Sequence, residues 1–140
     1  SDVSVLLAAV QNMGVCALHA PMPLFFARPE YQPSVRALKA CLFGEKSLLQ
    51  APPHPFNKIG ATQGVMVGGN LSMIVNSIGT STQFDPLGKI LFLEDIDEYL
   101  YRIGRMMVHL KRAGVLGKIA GLVIGHFTDM KDNTGVHWKD

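Results

Sequence analysis

The segment Lys89-Ile90-Leu91-Phe92-Leu93-Glu94 constrains the fold more than any other part of the chain. Its inner residues are apolar at odd and even positions alike, so a strand here calls for cover on both faces. Strands of that kind lie inside parallel sheets flanked by helices. The residues downstream fit the same grammar. The acidic turn Asp95-Ile96-Asp97-Glu98 leads into a helix predicted over 99–113, with Leu100, Ile103, Met107 and Leu110 on one stripe. Gly114 is placed to end that helix, and a further apolar strand is predicted over 119–124. The chain therefore reads as α/β, with Lys89–Glu94 as an inner strand.

Upstream, residues 3–13 read as a buried helix with Ser1 or Asp2 as N-cap and Gly14 as its stop. Residues 15–19 read as a short buried strand, which needs a partner strand to pair with. Pro21, Pro23, Pro29 and Pro33 stiffen the next stretch, and Pro52, Pro53 and Pro55 mark a second break after a helix predicted over 34–43. The expected organisation is an N-terminal piece at 1–28, a proline-rich linker with a short helix at 29–55, and a C-terminal domain at 56–140. In that last part a strand is predicted over 58–67. Gly68-Gly69-Asn70 then opens a helix over 71–78, and the polar tail 126–140 is expected to be loosely ordered.

The composition supports a globular chain and excludes several classes. Of 140 residues, 48% are hydrophobic, enough for a core. Thirteen Lys and Arg against eleven Asp and Glu leave a net charge of +2, which points to neither nucleic acid nor a membrane surface. No apolar run reaches the about 20 residues a membrane helix needs. The start has no basic leader and no methionine, so the natural N-terminus is expected elsewhere. Cys16 and Cys41 stand in apolar surroundings and are expected to be buried thiols. His19, His54, His109, His126 and His137 form no pair with zinc-ligand spacing, so no zinc site is expected.

Three groups of residues could carry chemistry. Glu94, at the end of the inner strand, is held where open α/β sheets place functional carboxylates, and a fixed acid suits the orienting of a histidine. Asp95 and Asp97 read as caps of the following helix. Gly68-Gly69-Asn70 could offer backbone N–H groups to an anion, or could be a tight turn with Asn70 as N-cap. Ser1-Asp2 before a buried helix is half of a nucleophile elbow, although physics alone reads Ser1 as an ordinary cap.

Taken in order, Ser1-Asp2-Val3, His19-Ala20-Pro21-Met22, Gly68-Gly69-Asn70-Leu71, Leu91-Phe92-Leu93-Glu94-Asp95, Tyr101-Arg102-Ile103 with Arg105-Met106, Ala113-Gly114-Val115 and Gly121-Leu122-Val123-Ile124-Gly125 resemble the L,D-carboxypeptidase family. That family holds murein tetrapeptide carboxypeptidases and microcin-immunity peptidases. The resemblance runs from Ser1 to about Asp132. It implies the end piece of an N-terminal nucleophile domain followed by a C-terminal domain of the swivelling β/α type. It implies Ser1 as nucleophile, the Asp2 backbone N–H in the oxyanion hole, Glu94 as the triad acid with Glu98 as the alternative, and substrate contacts at Gly69 and Asn70. The family's histidine matches no position here; His126 follows the wrong strand. The implied reaction is hydrolysis of the L,D-peptide bond before the terminal D-alanine of a muropeptide. It would serve cytoplasmic cell-wall recycling, need no cofactor, and be compatible with a homodimer. The alternatives are cleavage of a peptide-nucleotide antibiotic, and a non-catalytic α/β binding domain. The first is less favoured because the only tryptophan, Trp138, lies in the tail.

Overall fold

The computed structural model describes residues 2–46 and 48–132. They divide into two compact units, one formed by 18–60 and the other by the described residues of 1–17 and 61–140.

The larger unit is a parallel sheet with helices. Its strands are β1 (Met66–Asn70), β2 (Ile90–Ile96) and β3 (Gly121–Thr128), in the order β1-β2-β3. The inner position of Lys89–Glu94 holds: β2 pairs on both sides, with Val67 opposite Leu91 and Leu93 opposite Ile124. Parallel neighbours need crossovers, and two helices supply them. They are α3 (Leu71–Ser77) and α4 (Leu100–Arg112). Burial alternates along β2. Leu91, Leu93 and Asp95 are buried, whereas Ile90, Phe92 and Glu94 are half-buried. Leu91 and Leu93 join Val67, Leu71, Ile74, Phe84, Leu110 and Val115 in one core. So the helices cover one face fully, and the second face is covered only in part among the described residues.

Glycine allows β1 and β2 to approach. Gly68 has φ +122, and a Cβ there would lie 2.0 Å from the Phe92 carbonyl oxygen. Gly68 and Gly69 thus belong to the strand and not to a loop before α3. The predicted strand over 58–67 forms only from Met66. Its earlier residues lack the alternation that would bury one face.

A helix α1 (Val3–Asn12) packs on this unit. Asp2 is its N-cap residue, without a side-chain capping bond. Gln11 Nε2 donates to the Met66 carbonyl at 3.1 Å and Asn12 Nδ2 to the Gln83 carbonyl at 3.0 Å. The apolar face of α1 is poorly covered: Val3 and Leu6 are exposed, as is Met13 just after the helix. The strand expected over 15–19 does not form. No strand of the described residues lies beside it, and a strand without a partner leaves its backbone groups to water. The loose order expected over 126–140 is not found at its start, where His126, Phe127 and Thr128 belong to β3; residues 133–140 lie outside the described residues.

The smaller unit is built by its prolines. Pro23 and Pro29 each start a short 3-10 helix, and Pro33 lies in the first turn of α2 (Gln32–Leu42). Proline suits these places because its fixed φ matches and its missing N–H is not needed. Phe25 stacks on Tyr31 with centroids 4.8 Å apart, and Arg28 lies over the Phe25 ring. No residue of α2 is buried. Cys41, on α2, and Cys16 are exposed and not in disulfides, contrary to the burial expected from their apolar neighbours. Neighbours in sequence do not bury a residue unless another element covers it. No described helix is long and apolar enough to cross a membrane.

Candidate functional site

The C-terminal ends of β1 and β2 bring the chemistry-bearing residues together. Asn70 and Glu94 are register partners on these two strands. The chain turns directly from β1 into α3 at Asn70, whose side-chain oxygen accepts from the Met73 N–H at 3.2 Å and from the Ser72 hydroxyl at 2.6 Å. This is the N-cap expected of Asn70, and it satisfies an N–H that the helix leaves without a partner.

Asp95 organises the turn. It is buried, and its carboxylate accepts from Asn70 Nδ2 at 2.7 Å, the Ser72 N–H at 3.1 Å and the Ile96 N–H at 2.9 Å. Asp95 therefore serves α3, which precedes it in the chain, and not the helix after it. Asp97 does not cap α4 either. It has φ +61 and pairs with Lys131. That contact is the main reason the Lys131 ammonium is held above its ordinary range. The start of α4 is held instead by Glu98, whose carboxylate accepts from the Tyr99 N–H at 3.2 Å and lies 3.5 Å from Arg102. Arg102 also donates to the Tyr101 hydroxyl, which raises its guanidinium first, with Glu98 adding to the effect.

Ser4 joins α1 to this place. Its hydroxyl, buried, accepts the Asn70 backbone N–H at 3.0 Å. A buried hydroxyl in the first turn of an otherwise apolar helix needs such a partner. Sequence reasoning misses this link, although Ser4 is the only polar residue between Asp2 and Gln11. β3 adds an irregularity at the same level. Leu93 faces Ile124 and Asp95 faces Phe127, so Gly125 and His126 together stand opposite Glu94. Such bulges bend a strand and turn side chains aside.

Of the expected site residues, Glu94 is half-buried on β2, which continues two residues past the strand end expected there; Gly69 and Asn70 are buried at the end of β1, and Asp2 is exposed at the start of α1. Ser1 lies outside the described residues, as do His137 and Trp138. Among the described residues no three His, Cys, Asp or Glu side chains are grouped to hold a metal ion. A groove along α4, lined by Tyr101, Arg105, His109 and Arg112 among others, contains none of the expected site residues.

The chain is similar to known proteins over most of its length. It is 36% identical over 132 residues to a probable murein peptide carboxypeptidase of Bacillus subtilis (strain 168), covering 91% of this chain and 41% of that protein. It is 31% identical to the murein tetrapeptide carboxypeptidase of Pseudomonas aeruginosa, covering 92% of this chain and 45% of the relative. The chain thus spans under half the length of these relatives. Its fold superposes on the crystal structure of a muramoyltetrapeptide carboxypeptidase from Oxalobacter formigenes with a TM-score of 0.79 at 30% identity, over 94% of this chain and 45% of that one. The microcin C7 self-immunity protein shares the fold, with a TM-score of 0.75 at 19% identity over 99% of this chain and 51% of that one. Residues 63–140 match the LD-carboxypeptidase C-terminal domain, so the three-stranded parallel sheet that carries Glu94 is part of that domain and the chain belongs to the LD-carboxypeptidase family.

Proposed function

We propose that a protein containing this chain is a serine peptidase that removes the terminal D-alanine from murein tetrapeptides by hydrolysing the L,D-peptide bond before it. The observation that carries this reading is the convergence of two elements on one strand end. Glu94 on the central strand stands opposite Asn70, the last residue of β1, and the helix that follows Ser1 is bonded to Asn70 through Ser4. The names of the Bacillus subtilis and Pseudomonas aeruginosa relatives support the substrate class.

In this reading the Ser1 hydroxyl attacks the carbonyl carbon, and a histidine from outside residues 1–140 takes its proton. Glu94 holds that histidine's tautomer and stabilises its cation. The Asp2 N–H, at a helix start where N–H groups have no intrahelical acceptor, faces the oxyanion. Gly69 and Asn70 border the substrate. Expulsion of D-alanine leaves an acyl-Ser1 ester, which water then hydrolyses. Residues 1–28 belong to the nucleophile domain, 29–55 form the linker, and 56–140 belong to the acid-bearing domain. Cytoplasmic cell-wall recycling and a homodimer complete the proposal.

The test uses a protein of the relatives' full length and measures D-alanine release from a murein tetrapeptide. Ser1→Ala and Glu94→Ala should each lower kcat by about 10³-fold or more, and the double variant should lose little beyond the worse single one, because triad members act as a unit. Near-normal turnover of Ser1→Ala would make the chain a non-catalytic domain. Near-normal turnover of Glu94→Ala would move the acid role to Glu98, which is here engaged with Arg102.

A further inference from the structure

Ser4 is the only buried residue of α1, and it is a serine. Its hydroxyl accepts an N–H that is 66 residues away in the chain. The other side-chain bonds from α1, those of Gln11 and Asn12, lie at the exposed far end of the helix. The buried attachment is therefore at the Ser1 end. Its receiving residue, Asn70, is the register partner of Glu94. Asn70 is in turn fixed by Asp95, the residue next to Glu94, whose carboxylate gathers donors from β1, α3 and β2.

A single buried hydroxyl adds little net stability, but a fully satisfied polar network admits only one geometry. An apolar side chain at position 4 would pack at least as well and would let the helix slide along the sheet. We propose that Ser4 and Asp95 are positioning residues. Through Asn70 they lock the helix behind the nucleophile onto the end of β1, beside the acid on β2, and so set the spacing of Ser1 and Glu94. This rests on the proposed roles of Ser1 and Glu94. Neither Ser4 nor Asp95 touches the reacting atoms in this scheme; both act through the residues they hold.

The experiment uses the protein at its relatives' full length, with three readouts: D-alanine release from a murein tetrapeptide, the rate at which a fluorophosphonate labels Ser1, and the thermal midpoint. Ser4→Ala should lower kcat and the labelling rate together by roughly 10–100-fold, the order expected for a misplacement of about 1 Å, while KM changes by less than about threefold. Ser4→Thr, which keeps the hydroxyl, should restore most of both rates. Asp95→Asn keeps the shape but loses an acceptor and should act in the same direction. Ser4→Ala with Asp95→Asn should cost no more than the worse single change, since both open one lock. Should Ser4→Ala fail to fold, Asp95→Asn and Ser4→Thr decide. Wild-type kcat and labelling in Ser4→Ala or in Asp95→Asn would overturn the lock, and so would a loss that Thr does not rescue. So too would a lowered midpoint with normal activity per folded molecule. Ser1→Ala is the control. If it stays active, the peptidase reading fails. If it is inactive while Ser4→Ala is normal, only the lock fails.

Discussion

Asp95 shows how much one carboxylate can hold. It is buried and accepts three N–H bonds, two from backbone and one from the Asn70 amide. Asp95→Ala removes the two oxygens that accept all three bonds and leaves one buried and two part-buried donors without this partner, each a cost of about 1–3 kcal/mol when water cannot reach it. Relaxation will recover part of this, so we expect a loss of about 2–4 kcal/mol by urea denaturation of the chain. A loss below about 0.5 kcal/mol, the level of an ordinary surface change, would mean that the network is not structurally important. The placement of Glu94 on an inner strand was legible in the sequence, because it follows a short apolar run with a strand's length and composition. The role of Asp95 was not. An acidic residue between a strand and a helix reads as a cap for what comes next, and nothing local says that its donors come from a helix some 23 residues earlier. Ser4 was hidden for the same reason, since its partner lies across the fold.

At the scale of elements, the strand-helix-strand order from β1 to β3 could be read from hydrophobic period and stop signals, and both Asn70 as cap and Gly114 as stop hold. The errors fall where an element depends on a neighbour. Val15–His19 has a strand's composition but no adjacent strand. Gly68 and Gly69 look like a loop, yet they lie in β1, and at Gly68 the Phe92 backbone leaves no room for a Cβ. That closeness makes two glycine substitutions comparable. Gly68→Ala must relieve a Cβ 2.0 Å from the Phe92 carbonyl oxygen as well as a φ of +122. Gly114→Ala meets nothing within 4 Å and carries only the penalty of a φ of +74. The second should cost about 1–2 kcal/mol, the penalty of left-handed backbone for an L residue. The first should cost at least twice that, because β1 must separate from β2. Thermal midpoints of the two variants check the order. Equal losses would show that the β1–β2 contact gives way easily.

For the molecule as a whole, the question is what the 140-residue chain can do by itself. β3 is the last strand of the sheet among the described residues, and its Leu122, Val123 and Ile124 are 40–56% exposed. Met66 on the opposite edge strand and Leu6 on α1 are also open. An apolar edge strand offers unpaired backbone groups along with sticky side chains, a combination that drives association. The chain alone should therefore self-associate with rising concentration in sedimentation velocity and should bind a hydrophobic dye. A dye-silent monomer at high concentration would show these faces to be self-sufficient. The same chain should release no D-alanine from a murein tetrapeptide above background. In the proposed mechanism the base for Ser1 is a histidine from outside residues 1–140, and an unassisted serine hydroxyl is a weak nucleophile near neutral pH. General-base catalysis alone is worth about 10²–10⁴ in rate, and a misaimed oxyanion donor about as much again. Turnover by the isolated chain that is abolished by Ser1→Ala would mean that one of its own histidines is the base. The first to test would then be His126, which stands with Gly125 opposite Glu94 where the register of β2 and β3 shifts.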